Sequence, residues 1–187
     1  MSQHDMRCTC SGQGSLKPTL LATGLPAHQC AACEGTLLAL DAYRRWLAQP
    51  DAAPAIETTA ALHGLVAVED APGARSCPRC QRLMQRLRVS TDLPDFRIDR
   101  CSPCQTVWFD RGEWQALAQD GLAWRLDEVL SDGWQRQLQQ ADLRQRREQA
   151  LRARLGDDCL DELTRIRTWL DTQPRREELL ALLRAGW

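Results

Sequence analysis

Two Cys-x-x-Cys pairs, Cys77-Pro78-Arg79-Cys80 and Cys101-Ser102-Pro103-Cys104, stand with 20 residues between them. No other feature constrains the chain as much. Each pair can present two thiolates to one tetrahedral cation, and the stretch between is long enough for a hairpin. Zn²⁺, a borderline-soft ion, suits four sulfurs. Iron in a rubredoxin-like site uses the same ligands, so the ligand set alone leaves both metals open. A disulfide-exchange reading would need one active pair beside a βαβ pattern, which the sequence lacks.

A second set precedes the first. Cys8-Thr9-Cys10 is followed after 19 residues by Cys30-Ala31-Ala32-Cys33, and Cys30 and Cys33 lie 71 positions before Cys101 and Cys104. Both sets then run into an apolar segment with an acidic residue and a short helical pattern. Leu40-Asp41-Ala42-Tyr43 with Trp46-Leu47-Ala48-Gln49 stands against Phe109-Asp110-Arg111-Gly112 with Ala116-Leu117-Ala118-Gln119. This reads as a tandem repeat of about 70 residues. The one-residue spacer of Cys8-Thr9-Cys10 still lets both sulfurs reach one metal, in a tighter turn. His28 is an alternative ligand at this first site, whereas His4 and His63 have no partners at ligand spacing. The ninth cysteine, Cys159, has no mate and is expected as a buried or half-buried thiol on a helix.

Composition narrows the classes. Of 187 residues, 43% are hydrophobic, which excludes wholesale disorder, but cysteine-bearing segments of about 40 residues cannot bury a stable core alone. A metal is expected to stabilise them. Met1 to Arg7 offers no apolar run to act as a signal peptide, so a reducing cytosol with thiolate ligands is expected rather than disulfides. No stretch approaches the roughly 20 apolar residues of a membrane span. The formal charge is −1, and two four-thiolate sites at −2 each would bring the loaded chain near −5. A global electrostatic footprint for nucleic acid is therefore absent. One reading of Arg79, Arg82, Arg86, Arg88, Arg97 and Arg100 is a local footprint of that kind, with stacking on Trp108; the competing reading is a solvated face balanced by Asp92, Asp95 and Asp99.

Between the cysteine sets, Gln49 to Ser76 is rich in Ala, Pro and Thr and reads as a linker, with Leu62 to Val68 apolar enough for a short strand. Around the turn signal Asp92-Leu93-Pro94-Asp95, Leu83, Leu87 and Val89 share one parity, and Phe96 and Ile98 alternate with Arg97 and Asp99. That is a β-hairpin with one apolar face. Asp110-Arg111-Gly112-Glu113 reads as a helix start, Asp110 capping first-turn N–H groups and Glu113 returning the bond. Trp108 and Phe109 are expected to pack over the hairpin, and Trp114, Trp124 and Trp134 to form the seam with helices beyond. From Leu122 the period becomes helical, with a break at Gly156-Asp157-Asp158 and a further start near Pro174. Trp187 is expected either to cap the helices or to anchor a partner.

The run Cys77-Pro78-Arg79-Cys80, Arg100-Cys101-Ser102-Pro103-Cys104 and Val107-Trp108-Phe109-Asp110-Arg111-Gly112-Glu113 resembles the bacterial transcription factor IIB-type zinc-finger family. That family is a small zinc ribbon with a Trp-[Leu/Phe]-Asp-x-Gly-Glu tail. The resemblance implies that Cys77, Cys80, Cys101 and Cys104 bind the metal. Residues 8–49 resemble the same family more loosely, which extends the role to Cys8, Cys10, Cys30 and Cys33. Gln81 and Gln105 stand where the family commonly has glycine, so a different knuckle backbone is expected. The expected fold is α+β: two small zinc-ribbon β-hairpin modules followed by two or three α-helices. The expected domains are a degenerate ribbon (1–49), a linker (50–75), a ribbon (76–121) and a helical region (122–187). The expected function is non-catalytic, because four thiolates leave no open coordination position for a catalytic water. The chain is expected to hold two Zn²⁺ ions and act as a cytoplasmic interaction or adaptor module with a protein partner. The alternatives are a nucleic-acid-binding regulator through the basic face and a thiol-based redox sensor.

Overall fold

A computed structural model describes residues 6–10, 12, 14–50, 67–90 and 95–186. The strand expected at Leu62 to Val68 lies mostly outside these residues, as do His4, His63, Trp187 and the turn at Asp92 to Pro94. The described part is a mixed α+β fold that divides into two compact units, Met1–Gln139 and Gln140–Trp187.

In the first unit, β1 (Leu16–Ala22), β2 (Leu25–Cys30) and β3 (Thr36–Ala39) precede helix α1 (Leu40–Leu47). Strands β4 (Gln85–Arg88), β5 (Arg97–Cys101) and β6 (Thr106–Phe109) precede α2 (Glu113–Gln119). The hairpin read from alternation is present, with Leu87 opposite Ile98. Leu83 is the exception, falling before the strand and lying exposed.

The two halves are not separate modules. β3 pairs antiparallel with β6, Leu37 opposite Trp108 and Leu38 opposite Val107, giving one six-stranded sheet in the order β1-β2-β3-β6-β5-β4. From either edge the strands run first, second and third of their own half toward the seam.

Period-two alternation sorts the central strands between two apolar layers. Leu38, Val107 and Phe109 join one core with Leu25, Tyr43, Trp46, Leu87, Ile98, Trp114 and Leu117. Leu37 and Trp108 face the other way, into a cluster with Leu16, Met84 and the cysteines. Strand β6 is buried at every position. A half of about 40 residues could not bury this much alone; pooling does it. Each fully buried Leu, Ile or Phe in such a core contributes about 1.5–3 kcal/mol.

The core also continues past residue 121, where the sequence places a boundary. Ala123, Leu126, Val129 and Leu130 are buried in it, on a 3₁₀ turn (Ala123–Arg125) and a short helix α3 (Leu126–Val129). The Tyr43 hydroxyl ties them to α1, donating to the Ala123 carbonyl at 2.8 Å and accepting from Leu126 N–H at 3.2 Å. Trp134, at the start of α4 (Asp132–Leu155), donates its indole N–H to the Val89 carbonyl at 2.9 Å. Trp114 is buried and Trp124 and Trp134 partly so, as expected of a seam.

The second unit contains the later turns of α4 with α5 (Asp157–Asp171) and α6 (Arg176–Ala185). Gly156 breaks the helix at φ +85°, a conformation open mainly to glycine. Arg152 gathers Glu148, Asp157 and Asp161 around that break, at 2.9, 3.2 and 3.0 Å. Among its described residues Leu170 is the buried apolar one, while Leu143, Leu163, Ile166, Trp169, Leu182 and Leu183 are exposed. Cys159 is exposed too, against the buried or half-buried position expected of it; by helical spacing it shares a face of α5 with Leu163 and Ile166, which are themselves exposed. No helix among the described residues is long and apolar enough to cross a membrane.

Candidate metal centres

The structure brings each predicted cysteine set together. In both sets the four Sγ atoms lie within 4.8 Å of one another. In the first, Cys8 and Cys33 Sγ are 3.7 Å apart and Cys10 and Cys30 Sγ 3.9 Å; in the second, Cys80 and Cys101 Sγ are 3.6 Å apart. A tetrahedral ion with bonds of about 2.3 Å to sulfur spaces its ligands by about 3.8 Å. A disulfide would need about 2 Å. The donor sets therefore fit two tetrahedral ions, and all eight thiols are free. His28 sits in β2 opposite Leu37, outside the clustered thiols.

The turns that aim the sulfurs follow one hydrogen-bond plan. Ala32 and Arg79 donate N–H to Cys30 and Cys77 Sγ, each at 3.4 Å. Cys30 N–H reaches the Gly35 carbonyl and Cys77 N–H the Arg82 carbonyl, five residues on in each case. Residues 34, 81 and 105, each just past the second cysteine of a pair, take positive φ of 57°, 60° and 49°. Gln81 and Gln105 thus keep the left-handed turn, and the different backbone expected of them is not found. They hold a conformation costing a non-glycine residue about 1 kcal/mol. The Cys8-Thr9-Cys10 turn departs from the plan: its N–H closure runs from Cys8 to the Gly14 carbonyl, and Cys10 N–H itself donates to Cys8 Sγ at 3.4 Å.

The thiols of each set perturb one another. Burial pushes Cys8 and Cys101 upward, Cys33 to about 11 and Cys104 to about 12. Cys10 and Cys80 go the other way. At Cys10 burial raises the value, but the Gly14 N–H and three neighbouring thiols outweigh it and leave it at about 7. The Arg82 N–H is the main cause at Cys80, also about 7. Cys10 and Cys80 are thus the readier of the shifted thiols to ionise, and a bound cation would favour the thiolate form across each crowded set.

Between the sets lies Trp108. Its ring rests on Gly35 so closely that a Cβ there would come within 2.3 Å of it. Its indole N–H donates to Asp110 Oδ1 at 2.8 Å, and the Arg75 guanidinium lies 4.4 Å above the ring while bonding the same oxygen at 2.6 Å. Asp110 is therefore not the helix cap that its position suggests. Gly112 takes the cap position at φ +83°, and Asp110 turns its carboxylate to Trp108, Arg75 and the Ala71 N–H. The other half of the expected box is present, with Asp110 N–H donating to Glu113 Oε2 at 2.7 Å. Glu113 is 1% exposed, its Oε1 has no partner, and burial with three nearby acids raises its pKa to about 9.

Asp70, Asp110 and Glu113 also converge within 4.8 Å. Arg75, Arg86 and Arg97 already face these acids and Asp99, so this cluster is a charge-balanced network rather than a cation site. The same pairings answer for the basic face. Arg86 meets Asp70 and Asp99, Arg88 meets Asp95, Arg97 meets Asp70, and Arg100 donates to the Leu130 carbonyl. Arg79 and Arg82 remain exposed. Sequence reasoning missed Arg75, which it placed as the last residue of a linker; its distance of two residues from Cys77 was the available signal.

Residues 76–120 match a zinc-ribbon family of the transcription factor IIB type, described as a transcription factor zinc-finger. No curated protein and no solved structure matches the chain. The match assigns a zinc ribbon to β4–β6 and α2, while the first cysteine set rests on its own geometry.

Proposed function

We propose that the protein is a non-catalytic zinc protein in which two tandem copies of the ribbon, the first degenerate, fuse into one platform. Cys8, Cys10, Cys30 and Cys33 hold one Zn²⁺, and Cys77, Cys80, Cys101 and Cys104 the other. The observation that carries this reading is the spacing of the thiols, 3.6–3.9 Å in both sets, which suits a shared tetrahedral ion and no covalent pairing. Four protein ligands at each ion leave no position for a reacting water, so each ion works by holding the fold. Metal analysis of the protein purified without added metal tests this: two zinc ions per chain are expected, and one or none, or iron, overturns it.

On this reading the platform serves as an adaptor for a protein partner. The exposed Leu163, Ile166 and Trp169 of α5 support a protein rather than nucleic acid, as does the engagement of Arg86, Arg88, Arg97 and Arg100 within the chain. Affinity capture from the native cell with wild-type and Trp169→Asp protein is the test. A partner lost with the variant is expected; salt-dependent binding of an oligonucleotide at low ionic strength would favour the regulator instead.

A further inference from the structure

We propose that the two metal centres load as a coupled pair, with the strap Arg75-Ser76-Cys77 making the first centre depend on the second. This rests on the reading that both cysteine sets bind metal. Three consecutive residues touch both centres. Cys77 belongs to the second. The Ser76 carbonyl accepts from the hydroxyl of Thr9, the residue between Cys8 and Cys10, at 2.8 Å. The Arg75 guanidinium points Nη1 at Cys8 Sγ, 4.0 Å away.

The strap takes its position from the second centre. Met84 N–H holds the Arg75 carbonyl at 2.8 Å, Cys77 N–H holds the Arg82 carbonyl at 2.8 Å, and Ser76 bridges to Leu83. All three contacts surround the Cys77–Cys80 turn that a second-site metal would close. With that turn set, Arg75 is delivered beside Cys8, only 11% exposed and braced by Asp110 at 2.6 Å and Asp99 at 3.9 Å. A buried guanidinium beside a four-thiolate centre of net charge −2 favours the fully ionised, metal-bound state. The first centre needs this more, because its N-terminal turn is the irregular Cys-x-Cys. Trp108 adds a second path: it packs in one cluster with Cys8, Cys30, Cys77 and Cys101, and lies on Gly35, two residues past Cys33. Arg75 is thus a positioning residue for the first centre, and the second centre is its anchor.

Cobalt substitution of the full chain tests the proposal, because each tetrahedral four-sulfur centre absorbs visibly and can be titrated against a chelator. Cys33→Ser removes the first centre; because the second fills before the first, its own loading step should stay within about threefold of native, the reciprocal coupling showing only when both centres are occupied. Arg75→Gln should still bind two ions at saturation, but one of them about 10- to 100-fold more weakly, the range of one charge-assisted hydrogen bond. Arg75→Lys should recover part of the loss, which separates charge from packing. Cys104→Ser, which removes the second centre, should weaken the first by at least as much as Arg75→Gln. Native affinity of the first centre in both Arg75→Gln and Cys104→Ser would overturn the coupling while leaving the zinc reading intact. A chain that binds no metal at all would overturn the zinc reading itself.

Discussion

The two cysteine sets reach the same spacing of sulfurs by unequal means. The second closes on two Cys-x-x-Cys turns, with the Arg82 N–H aimed at Cys80 and the Cys104 N–H at Cys101. The first has one such turn and one Cys-x-Cys, whose slack is taken up by a loop to Gly14 and by groups from outside its own half, Arg75 and Ser76. Gly14 and Arg82 do the same job, each supplying the carbonyl for the first cysteine and the N–H for the second. Yet a Cβ at Gly14 would meet Cys30 Sγ at 2.7 Å, whereas Arg82 stands in solvent. A ribbon can therefore lose part of its motif and persist, provided a neighbour completes it.

Removing metal makes the largest difference. A structural zinc supplies about 10–16 kcal/mol of apparent binding energy at neutral pH, and both sets share one cluster with Trp108. Chelation should expose Trp46, Trp108 and Trp114 in one transition, seen as a red shift of fluorescence, while part of the helical circular dichroism from residues 140–187 persists. Two separate transitions would mean that the halves are independent. Acidification should act in the same direction, because each metal competes with protons for four thiolates.

The acid behind the second set gives the next effect, and the described residues of the first half hold no buried acid to match it. Glu113 holds its proton in the folded chain up to about pH 9, against an ordinary value of 4.5. The folded state thus binds more protons than the unfolded one through that window, and stability should fall as pH rises across it. Glu113→Gln should abolish that slope and raise stability at pH 8 by at least about 1 kcal/mol, measured by urea unfolding of the zinc-loaded protein at pH 6 and pH 8. A slope that survives the substitution would place the titrating group elsewhere.

Gly14 and Arg82 allow a matched pair of substitutions. Gly14→Ala should cost about 1–3 kcal/mol through overpacking against Cys30, read as weaker metal binding at the first centre. Arg82→Ala should leave both centres within about 0.5 kcal/mol of native. The smallest effect is at the second knuckle, where Gln81→Gly relieves a left-handed residue at φ 60°. It should raise the melting temperature slightly, by up to about 1 kcal/mol of stability.

Local rules in the sequence carried much of this. Ligand spacing gave both thiol sets, alternation gave the β4–β5 hairpin, and Gly156-Asp157 marked the helix break. What escaped was whatever depends on residues distant in sequence. Nothing local to Thr36–Ala39 or Thr106–Phe109 says that these strands pair with each other; both are simply short apolar runs. Asp110 has the sequence position of a cap, but a stronger offer from Arg75 and the Trp108 indole redirects it. Cys159 stands in a helical pattern on one face with Leu163, Ile166 and Leu170, and what the pattern could not show is that the first two of these stay exposed, leaving Cys159 uncovered with them.

The β3–β6 seam has a further consequence. Three-stranded halves standing apart would present four open edges, two of them the apolar runs Thr36-Leu37-Leu38-Ala39 and Thr106-Val107-Trp108-Phe109. Such edges are templates for unwanted strand addition. Joined, the sheet has β1 and β4 at its margins among the described residues, where Lys17 and Pro18 on one and Arg86 and Arg88 on the other discourage pairing. The seam is thus also a safeguard against aggregation, and cutting the chain into its halves would undo it.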